Sequence, residues 1–160
     1  MIEQFVTPCD GSTIVLNQGN TTVEDASAIQ LLSTTFANIN GSSLSYLPPT
    51  GTTQVIYEFT ATYSGADGHG IGTVRLYLDN VEVTDAVFSW GASSHLDTRI
   101  CHRWGFNIGG TANAATGRVA SWTSAKTIKL MAREYGSSNE SKLHGTQDTD
   151  NTGTAAFSRP

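Results

Sequence analysis

A chain of 160 residues is long enough to bury one core without covalent staples and short enough to form one domain. Only 14% of its residues are charged and the net charge is -5, which leaves no cationic footprint for nucleic acid. No stretch approaches the roughly 18 consecutive apolar residues of a membrane helix, so the reading is a single domain over residues 1–160 with neither nucleic acid nor membrane as partner.

Taken in chain order, residues 2–7 and 13–16 read as short strands. They are separated by the run Pro8-Cys9-Asp10-Gly11, in which Pro8 removes a ladder donor and Gly11 supplies a positive φ. Residues 17–20 form a second turn and 21–23 a short strand. Residues 24–36, EDASAIQLLSTTF, are the only helix-like segment; they read as a loop with one helical turn, or as a strand over 29–36. Residues 39–46 end at Pro48-Pro49-Thr50-Gly51, a double proline that excludes a central strand.

The pattern then sharpens. Over residues 54–63, Val55, Tyr57, Phe59, Ala61 and Tyr63 alternate with Ile56, Glu58, Thr60 and Thr62, the period of a long strand with one buried face. A Gly-rich turn over 64–70 leads to Val74, Leu76 and Leu78 alternating with Thr73, Arg75 and Tyr77. Asp79-Asn80 is a two-residue hairpin signal, because both side chains tolerate positive φ, and Val81-Glu82-Val83 turns back behind it. Residues 86–97 read as a loop carrying Phe88 and Trp90, the candidates for contact with a partner.

Residues 98–108 alternate again, with Ile100, His102, Trp104, Phe106 and Ile108 on one face. A loop of small residues covers 109–117, and 118–122 read as a short strand. Residues 126–135 are the fourth long strand, 136–140 a tight turn, 142–144 a return strand, and 147–153 a polar loop. Eight to ten strands, four of them long, with turns at steady spacing, read as an all-β antiparallel fold, a sandwich or jelly roll.

The sequence offers little chemistry. Glu58 and Glu134 are the only carboxylates at strand positions that could pair for acid–base work, and strand carboxylates are more often solvated or paired with arginine. His69, His95 and His102 differ in context, and a histidine on an apolar strand face is more often a core residue than a ligand. There is no GxSxG, no phosphate-binding loop, and too few oxygens in SGADGHG for a calcium loop. Cys9 and Cys101 fit no metal spacing and read as separate thiols, although a disulfide stays open. No catalytic, cofactor or metal residue is assigned. The N-terminus lacks the basic start and apolar core of a secretory signal.

Several blocks together, PCDGS from Pro8, LPPTGTTQVIYEF, VRLYLDNVEVTD, FNIGG and TGRVASWTSAKTIKLMAREY, resemble a family of virion structural proteins. The family occurs in tailed phages of cyanobacteria and other marine bacteria, with similar copies in large algal viruses. The resemblance covers most of residues 3–160 and is specific in 48–85 and 106–135. It implies a trimer-forming jelly roll of the tumour-necrosis-factor and C1q type, a non-enzymatic homotrimer that contacts the major capsid protein or other virion proteins. It would be made in the host cytoplasm and placed either on the capsid as a decoration (cement) protein or at the tail as a fibre or appendage knob that binds a host receptor or glycan. Family members continue past Ser-Arg-Pro with an alternating strand that closes the jelly roll, so either that strand lies outside this sequence or a partner supplies the pairing; a sheet edge left without it would be an aggregation site unless covered. The rival reading is a carbohydrate-binding or carbohydrate-cleaving jelly roll, with Phe88 and Trp90 stacking on sugar and Glu58 as the acid.

Overall fold

A computed structural model describes residues 2–65, 69–92, 97–149 and 154–160. Among these there is no helix, and the strands are β1 (Thr13–Leu16), β2 (Gly19–Thr22), β3 (Gln30–Leu31), β4 (Ala37–Asn38), β5 (Leu44–Tyr46), β6 (Gln54–Gly65), β7 (Gly70–Leu78), β8 (Val81–Ala92), β9 (Asp97–Asn107), β10 (Lys126–Glu134), β11 (Ser141–Leu143), β12 (Gly145–Thr149) and β13 (Thr154–Phe157). One sheet runs β4-β10-β7-β8, with β5 also pairing β10; the other runs β3-β11-β6-β9. Every strand pairing is antiparallel. The two sheets enclose one apolar core, and β1-β2 and β12-β13 form separate hairpins. The chain is the all-β antiparallel sandwich that a jelly roll requires.

The alternations decide which faces are inside. Val55, Tyr57, Phe59, Ala61 and Tyr63 of β6 are buried, as are Val74, Leu76 and Leu78 of β7 and Ile128, Leu130 and Ala132 of β10. Each large apolar side chain buried this way contributes roughly 1.5–3 kcal/mol. Exposed ion pairs such as Arg103–Glu58 contribute about 0–1 kcal/mol. The facing apolar rows therefore hold the sheets together. Polar repair is local. β10 lacks a strand partner at Leu130, between β4 and β5 on that edge. There Ile39 N donates to the Leu130 carbonyl (2.9 Å), and Leu130 N donates to Ser42 Oγ (3.1 Å).

The β7–β8 turn is the expected two-residue hairpin. Leu78 pairs with Val81, while Asp79 and Asn80 have φ of 49° and 65°. The Asp79 carboxylate then accepts from Lys126 Nζ (2.7 Å) and Thr127 N (2.8 Å), fastening the turn to β10.

Five expectations need correction. Residues 2–7 are not a strand, because no strand among the described residues pairs with their backbone. Residues 24–36 contain no helical turn and only the two residues of β3. Residues 86–92 are not loop but the second half of the twelve-residue β8, paired with β7 from Gly70↔Ala92 to Leu78↔Val81. Residues 118–122 form no strand and make isolated bridges outside the strands, Ile108↔Val119 and Asn113↔Arg118. Within 147–153, residues up to Thr149 belong to β12. The cysteines are both free: Cys9 is buried with Sγ 3.4 Å from the Gly41 carbonyl, and Cys101 is exposed on β9.

Candidate functional site

Among the described residues, one edge of β6 has no strand partner along its first half and, unlike the outer edges of the terminal strands β8 and β9, lies inside its sheet's strand order. Along one side β6 pairs with β9 over all but its last residue, from Gln54↔Asn107 to Ser64↔Asp97. Along the other it meets β11 only at Tyr63, Ser64 and Gly65. In a strand the N–H and C=O of one residue point to the same edge, and the edge alternates from residue to residue. Two hydrogen bonds fix the phase. Thr53 O accepts from Ile108 N on the β9 side, and Thr62 O accepts from His144 N on the β11 side. Gln54, Ile56, Glu58 and Thr60 therefore aim both backbone groups at the open side. No hydrogen bond to those groups exists among the described residues.

That edge borders a groove of about 840 Å³. Phe5, Val23, Tyr46, Tyr57, Phe59 and Ile128 supply its apolar lining, and Pro160 reaches it. Residues 2–7 run along it without strand pairing, leaving Ile2 and Val6 exposed, while Phe5 packs on Tyr46 with ring centroids 5.4 Å apart. On β6 itself, Ile56 is 54% exposed, a large apolar side chain facing solvent beside the open backbone.

Several polar side chains of the groove are already engaged. Glu3 accepts from Asn17 N (2.6 Å) and Tyr46 Oη (2.7 Å), and Glu24 accepts from Ser43 N (2.7 Å). Tyr57 Oη donates to the Ser42 carbonyl (2.6 Å). Burial raises the pKa of both phenols, with the Glu3 carboxylate adding to the effect at Tyr46, so both remain protonated donors. The arrangement fixes both phenols as donors to neighbouring oxygens. What it offers is an edge ready for strand addition beside pockets for alternate side chains.

The residues singled out from the sequence are scattered. Phe88 and Trp90 lie on β8 opposite Val74 and Gly72, on the inward side. Their rings pack together with centroids 5.8 Å apart; Trp90 meets Tyr63 edge-on at 5.0 Å, and Phe88 lies 5.4 Å from His102. Both are half-buried against the core, so their placement on a loop tip is corrected. Glu58 faces out of its sheet toward Arg103 at 3.7 Å, whereas Glu134 is buried at the end of β10 in the other sheet. They do not flank one cleft. His102 is buried, holds the Ala86 carbonyl through Nε2 at 3.0 Å, and has its pKa lowered by burial. His69 is exposed at the start of β7, and His95 lies outside the described residues. Among the described residues no three potential metal ligands converge. The open edge of β6 could not be located from the alternation of 54–63, because that pattern states which side chains are buried and not which backbone edge goes unpaired. No family model, curated protein or solved structure matches this chain.

Proposed function

We propose that the chain is a non-enzymatic structural protein of a virus particle, a homotrimeric capsid decoration protein that contacts the major capsid protein and stabilises the shell. The observation that carries the assembly role is the unpaired edge of β6 above its apolar groove. An edge of this kind templates uncontrolled pairing when left open in a monomer. Burying it under an extended segment of a neighbouring subunit or shell protein removes that hazard and supplies main-chain hydrogen bonds to the contact. The resemblance of residues 48–85 and 106–135 to virion structural proteins supports the particle as the setting, and the weakly charged, Thr/Ser/Asn-rich surface suits a protein that packs against others.

The test is the position and copy number of the chain in intact particles, by cryo-electron microscopy and quantitative mass spectrometry. Many copies as trimers at lattice axes are expected of a decoration protein. A few copies at the tail would replace that reading with a fibre or appendage knob, and absence from particles would overturn both.

A further inference from the structure

The outer face of the five-stranded sheet carries a second feature, remote from the β6 groove in the fold and independent of where the chain sits in a particle. Arg75 of β7 stands opposite Met131, and Arg133 of β10 stands opposite Thr73, so the two arginines are diagonal neighbours on adjacent strands. Both guanidinium groups lie over one ring: their carbons are 4.2 Å and 5.3 Å from the centroid of Phe36. Each Nε is sealed from solvent and has no hydrogen-bond partner. The outer Nη groups are what each arginine has left to offer. Arg75 Nη1 meets Glu82 Oε2 at 3.1 Å, while Arg133 has no carboxylate partner among the described residues.

Two guanidinium groups stacked on one ring repel each other, and a single carboxylate neutralises only one. Lys129, opposite Tyr77 on the same face, adds a further positive charge. In a chain of net charge -5 this is a local positive excess, too small for a polyphosphate backbone but suited to a single oxyanion. Neutral hydrogen-bonding groups fill the rows between the cations: Thr73 Oγ1 and Ser89 Oγ are 3.0 Å apart, and Tyr77 is half-exposed between Lys129 and Glu82. Cations interleaved with hydroxyls across adjacent strands offer an acidic carbohydrate a partner for its charge and partners for its own hydroxyls.

We propose that Arg75 and Arg133, held in place by Phe36, bind the carboxylate or sulfate group of an acidic glycan, with Thr73, Ser89 and Tyr77 bonding sugar hydroxyls.

Because both Nε–H groups are sealed from solvent, slow exchange and resolved nitrogen–proton resonances are expected, which makes the test direct. Labelled protein is titrated at constant ionic strength with a uronic-acid oligomer, a sulfated oligosaccharide, and an uncharged oligosaccharide of equal length. Saturable shifts at the Nε–H of Arg75 and Arg133, from an acidic oligomer and not from the uncharged one, are expected. Arg133→Gln should weaken that binding roughly tenfold or more, and Arg133→Lys, which keeps the charge but loses the fork, by less. Amide spectra remote from the site check that each variant is folded. Non-saturating drift with every anion, or an equal response to the uncharged oligomer, would overturn the proposal. Tighter binding of a glutamate-rich peptide would overturn the assignment to a glycan.

Discussion

His144 should make this protein acid-sensitive, and the size of the effect can be worked out. It follows β11 at a φ of 60° and is fully buried, edge-on to Phe59 with ring centroids 6.5 Å apart. Neither ring nitrogen has a hydrogen bond of good geometry, although the Asn40 backbone pulls weakly toward the charged form. Burial dominates and brings the pKa from 6.5 down to about 4. A depressed folded-state pKa means that the unfolded chain takes up the proton first as pH falls. Stability is therefore intact above about pH 6.5 and is lost progressively down to about pH 4. Linkage puts the loss at about 2 kcal/mol near pH 5 and about 3 kcal/mol near pH 4. His102, also pushed down by burial, acts in the same direction. The variant His144→Asn removes the titration while keeping a residue that tolerates positive φ. Urea unfolding of both proteins near pH 7 and near pH 5 should show the wild type losing about 2 kcal/mol more than the variant. Equal losses would refute the assignment to His144.

Three further outcomes are expected. Trp90 lies so close over Gly72 that a Cβ there would sit 2.4 Å from its ring, so Trp90→Ala should destabilise by about 3 kcal/mol in a denaturant melt; unchanged stability would mean the ring does not support the core. Asp79→Ala removes both carboxylate bonds to β10 and places alanine at positive φ, so a loss of about 2 kcal/mol is expected by the same assay. Proline at the two parities of β6 should separate folding from assembly. Glu58→Pro deletes an N–H aimed at the open edge, costing about 1 kcal/mol or less in the monomer while abolishing oligomers in native mass spectrometry. Val55→Pro deletes an N–H aimed at β9 and should cost about 3 kcal/mol or more; equal costs would refute the assigned parity.

The strongest alternations were legible because both faces of a strand write to the sequence when one is buried. The rows from Val55 to Tyr63, Val74 to Leu78 and Ile128 to Ala132 read directly, as did the Asp79-Asn80 turn. β8 was lost for a specific reason. Its pairing shifts register between Val74 and Leu76, so the inward residues are Val83 before the irregularity and Ala86, Phe88 and Trp90 after it. A change from odd to even positions, next to Ser89 and Gly91, imitates a loop. Residues 2–7 show the converse: Ile2, Gln4 and Val6 are exposed while Glu3 and Phe5 are half-buried, yet without a neighbouring strand among the described residues this gives no ladder. An unpaired backbone edge and two arginines sharing Phe36 depend on which strands become neighbours. Residues 75 and 133 are far apart in sequence, and only the β7–β10 register brings them together.

The central claim is that the open edge of β6 is where this protein joins its neighbours, and residue-resolved amide hydrogen exchange tests it most directly. In the isolated chain, the amides of Ile56, Glu58 and Thr60 should exchange rapidly while those of Val55, Tyr57 and Phe59 stay protected by β9. In the assembled particle, both sets should be protected. Rapid exchange persisting at Ile56, Glu58 and Thr60 after assembly would contradict the account, because the edge would then still face water.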